Sequence, residues 1–276
     1  MPCIATALAA LALVGAVRAQ TVYSGSGATA AAITPTVTDF RTALGTLNAN
    51  VAGSFGSGRR EINWDGVPDA FAAPNNLPAN FFNANSPRGV VFATPGTGFQ
   101  VSANVVNPTS TPIEFGNIDP SYPGLFAPFS AQRLLTALGS NIVDVNFFIP
   151  GGAQAAVTRG FGVVFSDVDL ADTTSLSFFG LGGNLLGTYF APASGGNEGF
   201  SFLGVDFGSA SIGRVRITSG NQILAAGNLL NDLVVMDDFV YGEPIAAIPE
   251  PETQALMLAG LGLLAWRLRR RKAARS

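Results

Sequence analysis

Histidine is absent from the chain, and its one cysteine, Cys3, lies at the extreme N-terminal end. The first absence removes the commonest general base and the commonest transition-metal ligand. The second leaves everything after the first few residues without a thiol nucleophile, a disulfide or a cysteine-based zinc site. Lysine occurs once, at Lys272, and charged residues make up only 12% of the sequence. There is no Walker loop, no dinucleotide fingerprint opening a helix, and no Gly-x-Ser-x-Gly elbow with a histidine to serve it. Gly180-Leu181-Gly182-Gly183 reads as a turn, not a phosphate cradle.

The charge that is present is unevenly divided. Residues 20–248 hold eight arginines and no lysine against sixteen Asp plus Glu, a net charge of −8. Residues 267–276 hold five arginines and one lysine with no acid. An acidic body argues against a nucleic-acid partner, because binding one requires cations that displace phosphate counterions. Gly (33), Pro (17) and Phe (21) are abundant. That composition predicts a β-rich, turn-rich domain with a substantial core, and the Phe and Val content argues against disorder.

The two ends read as targeting segments. Residues 3–17 form an apolar run of the length of a signal-peptide core, and Val17-Arg18-Ala19 offers small residues for cleavage after Ala19. Residues 1–19 are therefore expected to be a signal peptide. No basic residue precedes the run, which departs from the usual pattern. At the other end, Pro249, Glu250 and Pro251 precede a 12-residue apolar run, 255–266. Arg267, Arg269, Arg270, Arg271 and Lys272 follow as a basic stop. As a helix the run spans about 18 Å, short of a hydrocarbon core of roughly 30 Å. The run is expected to be a short transmembrane helix, inserted transiently in the inner membrane and not as a permanent span, with the basic cluster on the cytoplasmic side.

These three parts, in this order, resemble the PEP-CTERM sorting signal of Gram-negative bacteria, and residues 246–276 are assigned to it. The resemblance implies recognition by an exosortase, a membrane cysteine transpeptidase. It also implies cleavage near the Pro-Glu-Pro triplet and delivery of the body to the cell surface or beyond. The body resembles a recurrent family of PEP-CTERM proteins through three segments: residues 59–67 with 86–89, residues 160–165 with Asp167-Val168-Asp169, and residues 235–239. That resemblance carries no activity with it.

Within the body, residues 20–58 read as a flexible lead-in rich in Gly, Ala, Ser and Thr, with a short helix over 36–47 whose Val37, Phe40, Leu44 and Leu47 share a face. Residues 59–245 then break into short runs separated by Gly, Pro and Asn. Val143, Val145, Phe147 and Ile149 share one face, as do Phe161, Val163 and Phe165. Gly182-Gly183-Asn184 reads as a hairpin turn. The pattern predicts a mostly β protein, an antiparallel β-sandwich of jelly-roll type. Residues 130–138 fit a helical turn or a strand.

Three constellations are candidates for chemistry. Asp167, Asp169 and Asp172 follow a core strand, and if that strand continues, Asp167 and Asp169 lie on its core face. A Ca²⁺ ion would compensate such a pair, although the spacing is not that of an EF-hand. A solvated or arginine-paired strand end is the alternative. Asp237 and Asp238 are adjacent, so in a regular strand one of them points inward and needs arginine, backbone amides or a metal. They could complete the same calcium site or pair with Arg214 or Arg216. Trp64 beside Asp65 is a possible sugar-stacking surface, or else a core tryptophan. The expected function is that of an exported, non-enzymatic surface or matrix protein, glycan-binding or structural, with extracellular polysaccharide as partner. The rival is a carboxylate-dependent glycoside hydrolase, although no spacing singles out an acid and a nucleophile.

Overall fold

A computed structural model describes residues 20–228, 231–247, 256 and 258–267. The expected signal peptide over 1–19 lies outside the described residues. So do Pro249, Glu250, Pro251, Arg269, Arg270, Arg271 and Lys272.

In chain order the strands begin with β1 (Thr21–Gly27), β2 (Arg59–Ile62), β3 (Val90–Ala93), β4 (Gly98–Val101) and β5 (Leu135–Leu138). Then follow β6 (Ile142–Phe147), β7 (Ala156–Val157), β8 (Gly160–Ser166), β9 (Ser175–Phe179) and β10 (Leu185–Phe190). The last are β11 (Phe200–Asp206), β12 (Arg214–Thr218), β13 (Val235–Gly242) and β14 (Ile245–Ala246). Helix α1 (Ala30–Leu44) follows β1, and the one-turn helix α2 (Phe81–Ala84) precedes β3.

One sheet runs β1-β11-β8-β13-β5-β4, with β2 also paired to β13, and the other runs β10-β9-β12-β6-β3. Every pairing within the two sheets is antiparallel. Four strands of each sheet, β5-β13-β8-β11 and β6-β12-β9-β10, have the order of a jelly roll, the chain switching sheets at every step but the β9–β10 hairpin. The expected antiparallel sandwich is the fold, and neither sheet closes into a barrel.

The two-residue periodicity accounts for the core between the sheets. Val143, Val145 and Phe147 from one sheet meet Phe161, Val163 and Phe165 from the other in one buried cluster. The β9–β10 hairpin turns at Gly183, whose φ of +80° is open to glycine. Strand β8 is buried along its whole length because its outer face is covered too. Ile33, Val37, Phe40 and Leu44 of α1 lie over Val164, Phe202 and Val240. A β-carbon at Gly162 would stand 2.8 Å from the Phe40 ring, so glycine there lets the helix seat.

The lead-in is where the sequence reading is corrected. Residues 21–27 are not flexible: they pair in register with β11 as an edge strand. The helix begins at Ala30 and not after Pro35, which lies inside it. Proline removes one helical N–H, a cost of about 3 kcal/mol in an interior position. Burial of Ile33 one turn ahead of Val37 opposes that cost. The helix closes at Gly45, so Leu47 does not extend its face. The ambiguous stretch 130–138 resolves into a loop leading to β5.

Candidate functional site

A cleft lies where the chain leaves β2. Trp64 takes a left-handed conformation (φ +65°) and turns the backbone, with the Val67 N–H donating to its carbonyl at 2.9 Å. The turn and α2 border a cleft of about 390 Å³ lined by Asn63, Trp64, Phe71, Phe81, Phe82, Asn85, Ser86 and Arg88, together with Gly66, Val67 and Pro68 of the turn. No carboxylate lines it. Trp64 is 1% exposed, and its ring packs edge-on against Phe82 and Phe239 at centroid distances of 5.4 and 5.0 Å. Its Nε1–H donates to the Asp237 carbonyl at 2.8 Å. Nearly complete burial makes Trp64 a core tryptophan that walls the cleft, the second of the two readings its sequence context allows. Asp65 does not enter the cleft. One of its oxygens accepts the backbone N–H groups of Gln132 and Arg133 at 2.5 and 3.1 Å, and burial raises its pKa against those two bonds.

Asp237 and Asp238 fall in a β-bulge. The register of β13 on β8 shifts between Met236 and Phe239, so two residues oppose one. The bulge overrides the in–out alternation expected of neighbours, and both carboxylates reach Ser130 Oγ, at 3.2 and 2.7 Å. Asp237 Oδ2 accepts the Phe129 and Ser130 N–H groups, at 2.5 and 3.1 Å. Asp238 is paired at 2.9 Å with Arg41, which also forks onto Glu61. Burial first, and then the Asp238 charge, holds Asp237 well above the usual carboxylate range. The partner is Arg41 and not Arg214 or Arg216, because those two flank Asp144 on the opposite sheet.

The strand carrying Asp167 stops at Ser166 instead of continuing. Asp167 has φ +71°, which breaks the alternation that would have placed Asp169 beside it on the core face. Asp167 is buried, Asp169 and Asp172 are exposed, and Asp167 Oδ1 has no hydrogen-bond partner among the described residues. Burial pushes Asp167 up to about 8, helped by the charges of Asp169, Asp232 and Glu198. Asp232, which the sequence gave no reason to single out, is buried and accepts the Asp169 N–H at 2.8 Å and the Thr173 hydroxyl. Asp167 has none of the hydrogen-bond partners that hold Asp237 and Asp238. Among the described residues, no three His, Cys, Asp or Glu side chains converge to hold a metal.

Beyond β14 the character of the chain changes. Residues 258–267 are helical, and Leu258, Leu261, Leu263 and Leu264 are more than half exposed. No helix among the described residues is long and apolar enough to cross a membrane. Residues 247–272 match the family described as the PEP-CTERM protein-sorting motif. The chain carries a PEP-CTERM sorting motif. It marks the protein as exported and sorted by an exosortase to the cell surface or extracellular space. The motif starts one residue after β14, directly at the end of the folded body.

For the body, no curated protein matches. Among solved structures it is similar to a glycoside hydrolase family 43 arabinoxylan arabinofuranohydrolase from Bacillus subtilis, crystallised with cellotetraose. Identity is 14% over 56% of this chain and 27% of that one, with a TM-score of 0.28. It is also similar to the enzymatically active domain of tailspike protein 4 of bacteriophage CBA120, at 12% identity, 64% and 22% coverage and a TM-score of 0.23. The chain thus spans about a quarter of each of those proteins. Likenesses this low carry no argument about this chain's fold or activity.

Proposed function

We propose that the body is a non-enzymatic glycan-binding module, displayed on the cell surface or in the exopolysaccharide matrix after exosortase processing. One observation carries the reading: the cleft beside Trp64. Its walls combine the aromatic side chains Phe71, Phe81 and Phe82 with the amides of Asn63 and Asn85 and the Ser86 hydroxyl. Apolar surface with a few fixed polar groups is what a sugar, itself apolar on its faces and polar at its rim, requires. Its volume lies within the usual range for small-ligand sites.

The lack of a carboxylate on these walls favours binding over glycoside hydrolysis, which needs an acid and a base or nucleophile flanking the bond. The orphaned Asp167 favours a buried, protonated acid over calcium, since the groups around it do not form an ion's ligand set.

Gly66 offers a clean test. It lines the cleft, and a β-carbon there would meet nothing within 4 Å. Gly66→Trp should fill the cleft while leaving thermal stability unchanged. The protein purified from the envelope is expected to bind fragments of its own exopolysaccharide by calorimetry, and Gly66→Trp to abolish that binding. Equal binding by the variant would move the site elsewhere. No binding by the unaltered protein at high glycan concentration would remove the glycan reading.

A further inference from the structure

Arginine in this body is almost wholly neutralised. Seven of the eight arginines between residues 20 and 247 pair with carboxylates: Arg41 and Arg59 with Glu61, Arg60 with Glu243, Arg133 with Asp69, Arg159 with Asp206, and Arg214 and Arg216 with Asp144. Arg88 is the exception. It has no carboxylate within 4.0 Å among the described residues, in a body with twice as many acids as arginines. It is also the one arginine on the cleft.

Its guanidinium is held in place. Nε–H donates to the Glu61 carbonyl at 2.9 Å, Nη1 donates to Ser86 Oγ, and Cζ lies 5.3 Å from the centre of the Phe82 ring. The Arg88 carbonyl in turn accepts the Tyr241 hydroxyl at 3.0 Å, which ties the segment to β13. Nη2 is the nitrogen without a protein partner among the described residues. The half-buried cation is therefore fixed in position and only partly compensated: it has polar and ring contacts but no counter-charge. The free Nη2 carries N–H donors and shares the guanidinium charge, so it can make a charge-assisted hydrogen bond to a carboxylate oxygen.

We propose that Arg88 makes the cleft selective for carboxylated sugars, specifically the uronate units of an acidic exopolysaccharide. This rests on the glycan-binding reading. It adds that the recognised unit is anionic: the aromatic walls take the sugar ring, and Arg88 takes its carboxylate.

The test compares three probes on the envelope-purified protein by calorimetry: an oligogalacturonate, a neutral galacto-oligosaccharide of equal length, and the non-sugar dicarboxylate glutarate. The oligogalacturonate is expected to bind at least about tenfold more tightly than either, as a charge-assisted hydrogen bond allows. Arg88→Gln should remove that discrimination while leaving residual affinity for both oligosaccharides. Arg88→Lys keeps the charge but loses the contacts that fix its position, and should retain part of the discrimination. Gly66→Trp, which leaves Arg88 in place, should abolish binding of both oligosaccharides, so the result holds even if Arg88→Gln fails to fold. Equal binding of charged and neutral oligosaccharides would overturn the selectivity and leave the glycan reading standing. Glutarate binding as tightly as oligogalacturonate would overturn the sugar assignment. Failure of both oligosaccharides would bring down the glycan reading, and this inference with it.

Discussion

Glu243→Gln is expected to destabilise the protein by about 3–5 kcal/mol in chemical denaturation, the usual cost of removing one member of a buried ion pair. Arg60 and Glu243 are the most deeply buried pair, with side chains 0% and 1% exposed. The carboxylate takes Nε and Nη2 of Arg60 at 2.8 and 2.9 Å. The remaining guanidinium hydrogens go to the carbonyls of Val51, Gly53 and Pro87. Glu243 also accepts from Asn48 Nδ2 and the Phe55 N–H. The pair therefore fastens the loop between α1 and β2, and the turn before β3, to the end of β13. Glutamine keeps the shape but leaves a guanidinium charge uncompensated and one oxygen replaced by a donor. The double variant Arg60→Met with Glu243→Leu should recover much of the loss, since an apolar pair avoids the desolvation of both charges. A loss below about 1 kcal/mol in Glu243→Gln would mean that water reaches the pair.

Asp167→Asn is expected to change how stability depends on pH. In the folded protein the Asp167 carboxyl is held at about 8, whereas in the unfolded chain it titrates near 3.8. Between those values folding takes up a proton, so this residue's contribution to stability is full below the lower value and falls as pH rises through the window. The slope is at most about 1.4 kcal/mol per pH unit. Asparagine suits the left-handed backbone at φ +71° and cannot ionise, so the variant should gain about 2–4 kcal/mol on the unaltered protein between roughly pH 5 and pH 8. Asp237, whose pKa is also raised, does not act on Asp167, so it titrates in both proteins and cancels in the comparison. Added Ca²⁺ is expected to shift neither melting temperature. A Ca²⁺-dependent rise in the unaltered protein alone would contradict the protonated acid and place the ion at Asp167.

Much of the sandwich is legible in residues whose spacing leaves one solution. Val143, Val145 and Phe147 alternate, and they are buried as alternation requires. The helix stripe at Val37, Phe40 and Leu44 is likewise where its period puts it. What the sequence hid was structure made from small residues. Strand β1 looks like a linker because Gly25 and Gly27 lack side chains, but that lack admits α1: a β-carbon on Gly27 would lie 2.5 Å from Ala32. The carboxylates were misplaced for a different reason. Alternation fails at a bulge and at a left-handed residue, and neither the β13 bulge nor the turn at Asp167 has a glycine to announce it. Arg88 was visible in Ser86-Pro87-Arg88-Gly89, but its significance depends on the other seven arginines finding partners, which only the fold decides.

The account rests on the folded body, and not the whole chain, reaching the surface. Strand β14 ends at Ala246 and the sorting motif begins at residue 247, so processing at the Pro-Glu-Pro triplet would leave the sandwich intact. Intact-mass and C-terminal peptide analysis of the protein from surface and secreted fractions measures this directly. The predicted result is a mature chain that retains β14 and lacks the apolar run and the basic cluster. Recovery of the chain through Ser276 in those fractions would contradict it.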